Sequence, residues 1–373
     1  MFEFEEAFND MLNNIRLAVQ SKEDQPNIQL NLGLISETIQ ELLESEEENI
    51  DQQIEVLANF LIELMKVIPF SYGPLAFLFL FMGVMFENNV ELNDEQAAVY
   101  VNALINYASN TFLLVDQFGD RIPPQILKQY EDALRRIELS LVATSSRSEK
   151  VRAAMRAHPK FNEFQELTAA NRWEYKFLFF ATNILENEDI IVIHPLENWG
   201  VEMRIDGVTS NWSLHVLMAH YLKQHNPSLA IKAPPKKQVD CLLGEGSSMV
   251  GGSMSWVYEC YNWTGIDRIP LNSSDSECFS KSLNHKVWGE GVPCDIMKFE
   301  GKRIILLGPL SYNRSMSASR DFESQKASLT ILRDLSNEEI QQLLSKLTSI
   351  SKEDKQKALE EASKISHVAI SEK

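Results

Sequence analysis

Apolar residues recur every three or four positions from Phe4 to about residue 185; beyond about residue 187 the chain breaks into short apolar runs separated by Gly, Asn and Asp. A 3.6-residue period buries one face of a helix, whereas short runs between turn residues belong to antiparallel sheet. The other markers shift at the same place. All six Trp lie after residue 172, all four Cys after residue 240, and 11 of the 15 Gly after residue 199. The expected fold is α+β: an N-terminal all-helical bundle over residues 1–185, then an α+β domain over 186–373. The second domain should carry an antiparallel or mixed sheet and end in charged helices. A chain of 373 residues also exceeds one ordinary core, at roughly 150 residues per domain.

The helical half can be read element by element. Phe4, Phe8, Met11, Ile15 and Val19 form one face, and Ile35, Ile39 and Leu42 begin a second helix. Ile50, Ile54, Leu57, Leu61, Leu64 and Ile68 make a heptad seam of under three heptads, which suits a bundle better than a coiled coil. Asn93 with Gln96 has capping-box spacing ahead of Ala97, Val101, Leu104, Ala108, Phe112 and Val115. Pro123 and Pro124 open a further helix to about Val142. The basic stretch Arg147, Lys150, Arg152, Arg156 and Lys160 reads as an exposed helix or as an internal dock for acidic residues.

Val67–Phe86 is uncharged over 20 residues, about the length that spans a bilayer. Pro69, Gly73 and Pro74 interrupt it, leaving Leu75–Phe86 as a buried core helix, so no membrane partner is expected. A pore-former that hides this hairpin is the membrane alternative.

In the second half, Ile190–Ile193 and Gly200–Ile205 read as strands, Ser213–Gln224 as a helix and Trp256–Trp263 as a strand. KAPPKK (232–237) reads as a polar, proline-rich linker or loop. Cys294–Phe299, the turn Glu300-Gly301 and Arg303–Leu307 form the clearest hairpin, and the apolar run 302–308 predicts a strand covered on both faces. Ser336 with Glu339, and Ser351 with Asp354, open two terminal helices.

Charge is the strongest hint of function. Residues 1–120 hold 21 Asp/Glu against Arg16, Lys22 and Lys66, and residues 121–373 hold 32 acids and 32 bases. The whole net charge of −18 therefore belongs to the first third. Such a field attracts cationic partners and repels nucleic acid and anionic lipid. Glu44, Glu46, Glu47, Glu48 and Asp51 are its densest knot and the candidate partner-binding residues. The knot lacks EF-hand spacing, so no metal is expected there. The acidic start MFEFEEAFND is unlike a signal peptide, so a cytoplasmic location is expected. The spacing of the cysteines matches no zinc or disulfide pattern.

The candidates for chemistry are weaker. Asp206, His215 and Cys294 form a candidate catalytic set, because strand ends and following helices build α/β sites and a thiol–imidazole–carboxylate array is a nucleophilic arrangement. Gly244, Gly246 and Ser247 form a glycine-rich turn whose N–H groups can face a phosphate, although it fits neither a Walker loop nor GxGxxG. Arg314 and Arg320 can grip a carboxylate or phosphate. His215, His220 and His225 step by five, so they cannot share a helical face as metal ligands. No cofactor motif is present. The reading is a soluble interaction or regulatory protein whose anionic helical domain binds a basic protein. The alternative is an enzyme with a small-molecule site in the C-terminal domain, using thiol- or His-assisted transfer or hydrolysis.

Overall fold

Helices follow the apolar period through the first half of the chain. The structure is a computed structural model describing residues 9–10, 12–17, 37, 50–68, 75–87, 89–172, 174–254, 257–272, 274–310, 316–322 and 324–366. Two units divide at residue 182: Met1–Thr182 and Asn183–Lys373. The first is helical and the second carries a mixed six-stranded sheet, an α+β arrangement.

In the first unit, α1 spans Ile50–Val67, α2 Leu75–Glu87, α3 Asp94–Phe118 and α4 Pro124–Arg147. Helices α5 (Glu149–Ala157), α6 (Phe161–Ala170) and α7 (Lys176–Thr182) follow. Along α1 the seam residues Ile54, Leu57, Leu61 and Leu64 are buried, together with Phe60, Ile62 and Met65. That burial is wider than a two-stranded seam and marks a bundle helix. Asn93 and Gln96 exchange both capping-box bonds at 2.9 Å, fixing the start of α3. Of the face read ahead of it, Ala97, Val101, Leu104, Ala108 and Phe112 are buried.

The apolar run is shorter than a membrane span as a helix: α2 has 13 residues, eight of them buried. It packs mainly on α4. One helix among the described residues, Asp94–Arg121, is long and apolar enough to cross a membrane by length and composition, and 56% of its apolar window is buried inside the protein.

Several buried polar groups of this core bond to one another. The Tyr100 hydroxyl lies 2.7 Å from Ser140 Oγ and 3.2 Å from Thr144 Oγ1, and Ser140 donates to the Phe79 carbonyl. Burial pushes the Tyr100 phenol up to about 12. Tyr100→Phe removes the phenol that Ser140 and Thr144 share, while each hydroxyl keeps a backbone carbonyl partner. It should cost about 0.5–1.5 kcal/mol in urea unfolding followed by circular dichroism.

The second unit begins with β1 (Glu188–His194) and β2 (Trp199–Asp206), followed by α8 (Asn211–His225) and α9 (Lys236–Leu242). Strands β3 (Met249–Met254) and β4 (Tyr258–Asn262), a 3₁₀ segment Trp263–Arg268 and α10 (Ser276–Lys281) come next. The chain closes with β5 (Lys298–Phe299), β6 (Lys302–Pro309), β7 (Met316–Ser319), β8 (Ser328–Asp334), α11 (Asn337–Ser349) and α12 (Lys352–Ser366).

The main sheet runs β4-β6-β1-β2-β8, with β5 on β6, and β3 pairs β7 in a separate ribbon. Among the described residues only β1 and β6 pair in parallel, with Val192 opposite Ile305. Side chains alternate across the sheet. Ile190, Val192, Met203, Ile205, Ile305 and Leu307 pack with residues of α8 and α9, whereas Ile193, Ile304 and Leu306 pack with residues of α11 and α12. Residues 303–308 of β6 are all buried, as a strand with helices on both faces requires. The turn before it has φ +48° at Glu300 and +84° at Gly301, the left-handed pair of a tight hairpin turn. Cys294 lies in a 3₁₀ turn, Pro293–Asp295, not in the hairpin strand, because Pro293 opens a turn there. Lys236 and Lys237 belong to α9 instead of a linker, since Pro235 at its N-cap presets the helical entry.

Candidate functional site

His215 is fully buried in α8 and meets the Trp212 ring edge-on at 6.1 Å. Asp206 ends β2, its backbone opposite Ser328. The Cys294 thiol is enclosed and donates to Asn183 Oδ1 at 2.8 Å. Burial, then the Asp295 carboxylate, push that thiol well above its ordinary range. A nucleophilic cysteine needs its thiolate, and this environment holds the neutral form.

The Trp288–Gly291 loop docks on the N terminus of α8. The Asn211 and Trp212 N–H groups donate to the Gly291 and Gly289 carbonyls at 2.9 and 3.0 Å. Ser210 caps Ser213 N–H at 3.2 Å. Three of the four donors a helix start leaves unsatisfied are thereby spent inside the protein.

The glycine-rich turn and Arg320 do come together. Gly244 and Gly246 have positive φ, and Ser247 Oγ donates to the Met249 carbonyl at 2.9 Å. Arg320 Nη2 donates to the Gly246 carbonyl at 3.1 Å, and its N–H to the Ser248 carbonyl at 2.8 Å. The cavity beside them, between Thr209, Ser213, Arg320 and Gln325, is about 10 Å³. That volume suits one water and not a phosphate. Arg314 lies outside the described residues, as do Glu44, Glu46, Glu47 and Glu48; Asp51 is described only by its helical backbone in α1.

A polar centre absent from the sequence reading sits on β4. Lys286 Nζ lies 3.2 Å from Glu259 Oε1, with side chains 2% and 1% exposed. The ammonium is 5.5 Å from the centres of both the Phe279 and the Trp288 rings, within cation–π range. Its signal in sequence was one carboxylate inside the otherwise apolar run VYECYNW. Ion pairing and aromatic faces offset part of the desolvation such charges suffer.

His285 precedes this lysine, and its Nδ1 lies 3.1 Å from Thr264 Oγ1. Burial, then Arg268 and Lys355, lower it from 6.5 to about 4. The folded chain therefore binds fewer protons than the unfolded chain between those values. Stability from this group is full above about 6.5 and is lost as pH falls towards 4. Urea midpoints of the second unit should fall across that window. His285→Gln should flatten that slope, and an unchanged slope would assign it to other groups.

In the helical unit, charge is arranged asymmetrically. Residues 50–120 carry nine Asp/Glu against Lys66. Glu63 pairs with Lys66 at 2.7 Å and Arg16 at 3.6 Å. Glu55, Glu87, Glu91, Asp94, Glu95, Asp116 and Asp120 are exposed and form no ion pair among the described residues. Several arginines of residues 121–182 turn onto the protein itself. Arg135 pairs with Glu138 at 3.0 Å and lies 4.5 Å from the Tyr175 ring. Arg136 lies 4.0 Å from the Phe77 ring, Arg147 donates to the Ala143 carbonyl at 3.3 Å, and Arg152 donates to Ser145. No known protein family, curated protein or solved structure matches the chain.

Proposed function

We propose that this protein is a cytoplasmic interaction protein whose anionic helical unit binds a basic protein partner. One observation carries the reading: seven exposed carboxylates between residues 55 and 120 form no ion pair among the described residues, while several neighbouring arginines are committed to carbonyls, rings and Glu138. Carboxylates already in water lose little by meeting a cation, and their summed field speeds the encounter. The knot at Glu44, Glu46, Glu47, Glu48 and Asp51 adds five more charges to the same stretch of chain.

The test is capture of partners from lysate on the full chain at low and high salt. It runs beside a variant in which Glu44, Glu46, Glu47 and Glu48 are changed to Gln and Asp51 to Asn. A basic protein retained at low salt, released at high salt and weakened by the variant fits the reading. A partner held equally by both chains at every salt contradicts it.

A further inference from the structure

Helix α10 contributes to two different surroundings. Phe279 faces the Lys286 ammonium, whereas Cys278 borders an open cleft of about 400 Å³. Clefts that hold small molecules measure about 300–1,000 Å³. The 3₁₀ segment supplies Asp267 and Arg268 to this cleft, and the start of α12 supplies Lys352.

Most of the charge around the cleft is already spent. Glu277 pairs with Lys281 at 2.5 Å, and Asp267 with Lys355 at 2.5 Å. Asp275 accepts the Cys278 N–H at 3.0 Å, capping α10. The remaining two cations differ: neither the Arg268 guanidinium nor the Lys352 ammonium forms a side-chain hydrogen bond or ion pair among the described residues. Arg268 is half-buried, and its carbonyl accepts the Cys278 thiol at 3.1 Å, which ties the residue to the cleft wall.

We propose that this cleft binds a small molecule bearing one carboxylate or phosphate head, gripped by Arg268 and Lys352. A guanidinium fork matches either head with two parallel hydrogen bonds, and lysine adds a point charge. Asp275 and Glu277 each keep acceptor sites beyond those contacts, and these accept from hydroxyl or amino groups on the ligand body. The same carboxylates repel an extended polyanion, so the fit is to a compact ligand with a single charged end. This binding is independent of the acidic helical unit.

The test uses the full chain and three probes: glycerol phosphate, lactate and uncharged glycerol. Isothermal titration gives affinity, and alkylation of Cys278, followed by peptide mass spectrometry, reports occupancy of the cleft. Glycerol phosphate or lactate should bind and slow alkylation of Cys278 without changing that of Cys241, and glycerol should do neither. Whichever anion binds names the head. Arg268→Gln and Lys352→Gln should each weaken binding by about tenfold, the loss expected for one charged hydrogen bond. Lys352 is exposed, so its variant keeps the fold and decides the matter if Arg268→Gln does not fold. Absence of heat with both anions, or binding unchanged in Lys352→Gln, overturns the proposal.

Discussion

Lys286→Met should lower the stability of the second unit by about 3–5 kcal/mol, since it leaves the Glu259 carboxylate buried without its cation. A typical domain has about 5–15 kcal/mol in total, so the loss is large enough to populate the unfolded unit. Changing both partners, Glu259→Leu with Lys286→Met, should recover most of it. Two apolar side chains of similar volume avoid the desolvation that the ion pair only partly repays. Five of the six Trp lie in residues 183–373, so tryptophan fluorescence in urea follows this unit selectively. A double variant as unstable as the single one would mean that the pair also holds the local backbone.

Gly289→Val should cost about 2–4 kcal/mol by the same measurement, combining overpacking with disruption of a helix start. A Cβ at this position would sit 2.4 Å from three ring atoms of Trp212. The Gly289 carbonyl meanwhile accepts the Trp212 N–H at 3.0 Å. Any shift that relieves the ring also pulls that acceptor away from α8. The neighbouring exposed Glu290 is the control: Glu290→Ala should stay within about 0.5 kcal/mol of the parent chain.

Elements with a strong local signal were legible in the sequence. The Asn93 and Ser336 capping boxes form with both bonds present, because each needs only four consecutive residues. The Glu300-Gly301 turn and the buried strand after it are equally local. Strands β7 and β8 were not read. Strand β8 lies at the sheet edge and is largely exposed, so its residues Ser328–Asp334 show no continuous apolar run. Strand β3 contains Gly251-Gly252, which weakens its pattern.

The site was less legible than the fold. Residues that meet through topology are distant in sequence, and spacing carries no information about them. Lys286 reaches Glu259 only because the segment after α10 returns to β4, where Val287 N–H donates to the Cys260 carbonyl at 2.8 Å. Cys294 is a candidate nucleophile in the sequence through its place after a turn. Its thiol is instead committed to Asn183, 111 residues earlier. Charge asymmetry was visible at once because it needs only a count, but the turning of Arg136 onto Phe77 and of Arg147 onto a carbonyl needs the folded chain.

The most direct measurement is the affinity of the captured basic partner for the full chain as salt rises from about 0.05 to about 0.5 M, paired with a crosslinking map of its footprint. Screening shortens from about 10 Å at 0.1 M to about 3 Å at 1 M, so a contact made by exposed carboxylates must weaken steeply. The expected result is a loss of at least about tenfold, with crosslinks confined to residues 1–120. An affinity indifferent to salt, or a footprint on residues 183–373, would contradict the anionic unit as the binding surface.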